Sequence, residues 1–150
     1  MNLRRALFIS VAILIIVPTS QVWALGMGIV LGEPTGVCVK QWLPGGTALA
    51  GAAAWSFEDE SAFHVHADYL FHNDGISSGD VGKTLLYFGV GGRLKIEEKD
   101  TSTGIRFPLG VDYVFASHPV DVFFEIAPLL DVAPATEFRV NGGLGIRYYF

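Results

Sequence analysis

From Leu25 to Phe150 apolar side chains return at every second position, in short runs separated by turn residues, and no helical period of 3.6 appears. A strand points successive side chains to opposite faces, so this pattern predicts β-strands with one apolar and one polar face. The closing run, Phe138 to Phe150, shows it most cleanly. Phe150, Tyr148, Ile146, Leu144, Gly142 and Val140 fall on one face. Tyr149, Arg147, Gly145, Gly143, Asn141 and Arg139 fall on the other. One face is greasy; the other carries two guanidiniums and an amide.

Seven earlier runs repeat the split: Leu25 to Leu31, Val37 to Leu43, Thr47 to Phe57, Ser61 to His72, Thr84 to Ile96, Gly104 to Phe115 and Val120 to Asp131. Turn signals divide them. In the second run Gln41 and Trp42 invert the pattern, which predicts a bulge there. The links are short except for Asn73 to Lys83, so neighbouring runs are expected to pair antiparallel. Eight such runs match the smallest transmembrane barrels. The predicted fold is all-β: an eight-stranded antiparallel up-and-down transmembrane β-barrel.

The N-terminus reads as a targeting segment. Arg4 and Arg5 precede the apolar run Ala6 to Val17, which is too short to span a bilayer as a helix and suits a signal-peptide core. Pro18-Thr19-Ser20 breaks it, and Val22-Trp23-Ala24 offers a cleavage site after Ala24. Residues 1–24 are therefore expected to be a signal peptide and 25–150 the barrel. Losing Arg4 and Arg5 takes the ten basic residues to eight, against fifteen acidic ones, a net charge of −7. Past Ala24 no apolar stretch approaches the length of a membrane helix, so a membrane reading requires a closed barrel. Cys38 is the single cysteine, which excludes an internal disulfide and a multi-cysteine zinc site.

Alternation does not say which face points outward. A soluble periplasmic ligand-binding barrel would hide the apolar face. Three features favour the membrane orientation. The apolar face carries Trp55, Phe57, Phe63, Tyr69, Phe71, Phe88, Phe107, Tyr113, Phe115, Phe124, Tyr148 and Phe150, too bulky a set for an eight-stranded interior. The polar face is rich in Gly and Ala, which suit a crowded lumen. Its charges also balance: Lys40, Arg93, Lys95, Arg106, Arg139 and Arg147 against Asp68, Asp112, Asp121, Glu125 and Asp131. A dry interior requires such pairing. With His64 and His66 these residues form the predicted lumen charge network. Tyr69, Phe71, Tyr113, Phe115, Tyr148 and Phe150 are expected in a periplasmic aromatic girdle. Trp55, Phe57, Phe63 and Phe107 are expected toward the outer one.

The leader, the eight alternating runs and the ending G-L-G-I-R-Y-Y-F resemble small bacterial outer-membrane β-barrels of the OmpA and OmpX type. The pieces G-I-V-L-G-E-P-T-G and G-I-R-Y-Y-F are also similar to a further family of small outer-membrane barrels. The resemblance implies residence in the cell outer membrane, with outer-membrane lipid and lipopolysaccharide as surroundings. It also implies that Tyr148 and Phe150 form the signal read by the barrel assembly machinery. The loops are shorter than those of adhesion barrels. No nucleic acid partner is expected, and any surface ligand is left open.

Several constellations have two readings. His64, His66 and Asp68 share an inward face, as a metal site or proton relay or as hydrogen-bonding partners of the interior arginines; the spacing supplies no third metal ligand. The inward charges can line an ion path or form a salt-bridged plug. A lipid A-modifying enzyme needs a nucleophile or an acid–base pair at the lipid face. The apolar face holds no His or Asp, Ser61, Ser77 and Ser78 have no outward histidine nearby, and His118 alone lies in a turn. Gly89-Val90-Gly91-Gly92 lacks the following helix of a phosphate loop. Cys38 reads as an inert interior or lipid-side residue. The acidic stretches Glu58-Asp59-Glu60 and Glu97-Glu98 with Asp100 can bridge divalent cations to lipopolysaccharide or stand as solvated tips. The expected function is structural or surface interaction with a plugged lumen, and no catalytic residue, cofactor or metal. A narrow pore, a lipid A-modifying barrel and a soluble binding barrel are the alternatives.

Overall fold

The computed structural model describes residues 25–56, 62–73 and 77–150. Residues 1–24, expected to form a signal peptide, lie outside the described residues, as do Phe57, the expected tip Glu58-Asp59-Glu60 and Ser61. Ten strands follow in order: β1 Leu25–Glu33, β2 Thr35–Leu43, β3 Thr47–Ser56, β4 Ala62–His72, β5 Ser77–Ser78, β6 Gly82–Ile96, β7 Thr101–Arg106, β8 Leu109–Phe115, β9 Val120–Ala133 and β10 Glu137–Tyr149. Each main strand pairs antiparallel with its neighbours, and β10 pairs with both β9 and β1, which closes the ring. β7 and β8 both pair with β6 and β9. They form one stave, so the barrel has eight staves, as the alternation predicts.

The break between β7 and β8 falls at Phe107-Pro108. Proline has no N–H for the ladder, but the neighbours close the gap. Gly89 N donates to the Pro108 carbonyl and Phe107 N to the Pro128 carbonyl, each at 2.9 Å. The stave begins at Thr101, earlier than the turn-rich Glu97 to Thr103 suggests. Phe107 therefore sits at mid-stave, not toward the outer end, which corrects its predicted girdle position. β2 pairs with β3 without interruption from Thr35 to Leu43, so the expected bulge at Gln41 and Trp42 is absent. Trp42 simply shares the inward face with Lys40, whose Nζ lies 4.1 Å from the indole centre. Part of the long linker also pairs, Ser77 with Thr84 and Ser78 with Lys83.

The register fixes the barrel's dimensions. From Tyr148 it runs through Met27, Val39, Gly51, Ala67, Gly92, Ile105 and Leu130, and returns to β10 at Phe138, ten residues from 148. Eight staves with that stagger tilt by about 40° and give a radius of about 8 Å. Outward residues from Val140 to Phe150 then span about 25 Å along the axis, the height of a lipid-facing apolar band.

Inward aromatics need room at that radius, and glycines provide it. Tyr87 faces Gly110, Phe123 faces Gly145 and Tyr149 faces Gly26 across the strands. A Cβ on any of the three glycines would run into the facing ring. The Pro44-Gly45-Gly46 turn uses glycine differently: φ is 82° at Gly45 and 75° at Gly46, the left-handed region that tight hairpins require.

Candidate functional site

The interior holds three layers of charge. β1, β3, β6 and β9 run toward one end of the barrel, which carries the turns after β1, β6 and β9. This end is called the outer end below, and the opposite one, with both described termini, the inner end.

The inner layer is densest. Lys40 Nζ donates to Asp112 Oδ2 at 2.6 Å and to His72 Nε2 at 2.8 Å. With Nε2 accepting, the His72 ring proton belongs on Nδ1, which donates to the Gly46 carbonyl at 3.1 Å. Arg147 Nε donates to Asp121 Oδ1 at 2.8 Å, and Arg147 Nη2 reaches Asp112 Oδ2 at 3.4 Å. Its guanidinium lies 4.0 Å from the Phe123 ring centre. Tyr149 donates a short hydrogen bond to Asp121 Oδ2. Lys40, Asp112 and Asp121 are all 0% exposed. Around them Ala48, Leu70 and Tyr87 pack with Trp42 and Ala50 into an apolar collar. Charge and collar pack together at this end of the lumen.

The middle layer centres on Arg106. Its Nε lies 2.9 Å from Asp68 Oδ1, and its Nη2 donates to Glu125 Oε1. Tyr87 donates to Glu125 Oε2 at 2.7 Å, linking this layer to the inner one. His66 Nδ1 approaches Asp68 Oδ2 to 3.1 Å, as a close contact and not an aligned hydrogen bond. Two cavities of about 40 Å³ each lie here, room for a few waters at most.

The outer layer is looser. Arg93 Nη2 donates to Asp131 Oδ1 at 2.6 Å, and Lys95 Nζ contacts Glu97 at 2.9 Å. The Lys95 hydrogen bond holds the Glu97 carboxyl, on the rim, below its usual range. Arg139 contacts Glu137 at 2.9 Å and Asp131 at 3.6 Å. Ser56 donates a short hydrogen bond to Glu33. A cavity of about 250 Å³ opens among these groups.

The structure thus brings the thirteen predicted interior residues onto the lumen side, in separate layers. Among the described residues no group of three His, Cys, Asp or Glu is placed to hold a metal. Cys38 is buried on the inward side of β2. Sequence reasoning missed His72, Trp42, Tyr87, Tyr149 and Glu33 as members of the network. Parity places the first four on the inward face, and that signal was legible. Glu33 reads as a turn residue until β1 is seen to continue through it.

Outside, Met27, Val39, Trp55, Phe88, Phe107, Phe124 and Leu144 stand exposed, as do large apolar side chains on every stave. Tyr69 meets Phe71, Tyr113 meets Phe115 and Tyr148 meets Phe150, each edge-on at 5.0 to 5.2 Å between centroids near the inner end. Trp55 and Phe63 pair at 5.3 Å near the other.

No family model matches the chain, and no curated protein matches it in sequence. Among solved structures it is similar to the N-terminal β-barrel domain of Pseudomonas aeruginosa OprF, with a TM-score of 0.63 over 85% of this chain and 97% of that one. The two are 12% identical. The likeness concerns the fold, a closed antiparallel β-barrel.

Proposed function

We propose that this chain is an outer-membrane β-barrel with a closed lumen, acting as a structural or surface-interacting element. The carrying observation is the inverted distribution of side chains. Large apolar residues are exposed on every stave, while Lys40, Asp112 and Asp121 are fully buried. In water that surface would be a severe aggregation liability. Facing lipid it is the required one. The likeness to the OprF barrel domain supports the barrel fold on which this reading rests. In this reading the inner end faces the periplasm, the aromatic pairs sit at the two interfaces, and Tyr148 with Phe150 meets the assembly machinery. Outer-membrane lipid and lipopolysaccharide surround the wall.

The lumen favours a plug over a pore. Lys40, Arg147, Asp112 and Asp121 neutralise one another, and the collar of Leu70, Tyr87 and Trp42 fills the space between them. Planar-bilayer recording of the refolded full-length protein is the test. The expected record at neutral pH is a quiet baseline. Steady unitary channels would overturn the plug. Loss of quietness only when Leu70 and Tyr87 are both cut to Ala would identify the collar as the seal.

A further inference from the structure

We propose that the outer mouth of the lumen binds a small oxyanion: a phosphate, sulfate or carboxylate group. The cavity of about 250 Å³ is lined by His64 and Ser56, by Arg93 and Lys95 from β6, and by Arg139 and Asn141 from β10, with Glu33 at its edge. His64 pairs with Lys95 across β4 and β6, and Arg93 lies two residues along the same face. β10 brings Arg139 and Asn141 from another part of the wall.

What distinguishes this cavity is its surplus of donors. His64 is only 4% exposed, and neither ring nitrogen has a hydrogen-bonding partner among the described residues. Arg93 is 3% exposed; it gives one Nη to Asp131, and its buried Nε has no partner. The Asn141 Nδ2 is buried without one as well. A guanidinium Nε–H and an amide NH₂ only donate, and a neutral imidazole carries one donor. Buried donors left unmatched are costly, so a group that accepts several hydrogen bonds at once suits this cavity. The carboxylates around the mouth do not fill that role, because they are already engaged. Glu33 receives Ser56, Asp131 receives Arg93, Glu97 meets Lys95 and Glu137 meets Arg139. The positive side chains are matched by these carboxylates, so what selects the guest is the set of unmatched donors on His64, Arg93 and Asn141, and an oxyanion supplies the acceptors they lack.

The site is blind. Below it the cavities shrink to about 40 Å³ around Arg106 and Glu125, and then the inner layer shuts the lumen. An anion would enter and leave by the same mouth. This is a binding site, not a conduction pathway.

The test uses the full-length barrel refolded in detergent micelles, labelled with ¹⁵N at arginine and histidine. Sodium phosphate is titrated against sodium chloride at matched ionic strength. The expected result is a saturable shift of the Arg93 Nε and His64 ring signals with phosphate, absent with chloride. A second arm supplies lipopolysaccharide vesicles without free phosphate; shifts seen only there assign the oxyanion to a lipid headgroup. Asn141→Asp places a carboxylate in the cavity and is expected to weaken phosphate binding about tenfold or more. His64→Phe, which removes a donor without touching an ion pair, is expected to do the same should the first variant fail to fold. Equal shifts in phosphate and chloride, no shift in either arm, or undiminished binding by both variants would overturn the site.

Discussion

Asp112→Ala is expected to destabilise the barrel by about 3–5 kcal/mol, the range for removing one partner of a buried ion pair. Asp112 Oδ2 is shared by Lys40 at 2.6 Å and Arg147 at 3.4 Å, and Asp112 and Lys40 have no exposed surface. Alanine leaves Lys40 with the neutral His72 ring and Arg147 with Asp121 alone. The cost comes from the stranded ammonium, not from lost packing. Lys40→Met in the same chain is therefore expected to recover most of it, because an apolar side chain of similar length suits the Trp42 and Tyr87 rings beside it. Urea titration of the refolded protein in phospholipid vesicles, followed by tryptophan fluorescence, measures both variants. A double variant no more stable than Asp112→Ala alone would show that the penalty lies elsewhere.

The second large effect concerns the other face. Ile126 is exposed at mid-strand on β9, opposite Leu109 on one side and Gly142 on the other. Arginine at the bilayer midplane of such a wall costs about 2–4 kcal/mol, whereas on a wet surface a substitution usually stays within about 0.5 kcal/mol. Ile126→Arg is therefore expected to lower stability in vesicles by the larger amount. Since arginine remains charged throughout, raising the pH is not expected to rescue it. A loss within the smaller range would argue that this face meets water.

The strand count and the two faces were legible because both depend on parity, which a strand imposes residue by residue. Lys40, Arg93, Arg106 and Arg147 fall on the inward face from sequence alone. The carboxylates that pair with them fall there too, but which meets which does not follow from parity. Lys40 meets Asp112 across the lumen, 72 residues away in the chain, and that pairing depends on the ten-residue stagger of the closed ring. Parity also places Trp42, Tyr87, Phe123 and Tyr149 inside, beside the charges. Glycines opposite the last three make the space, but a glycine cannot be matched to its ring until the register is known. Phe107 was misplaced for a related reason: the glycine- and charge-rich approach to β7 hid three residues of strand. The vestibule was illegible as a unit. It assembles Glu33 from β1, His64 from β4, Arg93 from β6 and Asn141 from β10, and its defining property is a set of buried donors left unmatched, which no local pattern carries.

The central claim is a closed barrel that lives in the outer membrane. The most direct measurement is fractionation of Gram-negative cells producing the full-length chain, with gel migration compared before and after boiling. The account predicts recovery in the outer-membrane fraction, with the unheated protein migrating as a compact species that boiling converts to the unfolded one. Recovery as a soluble periplasmic protein whose migration heat does not change would contradict it.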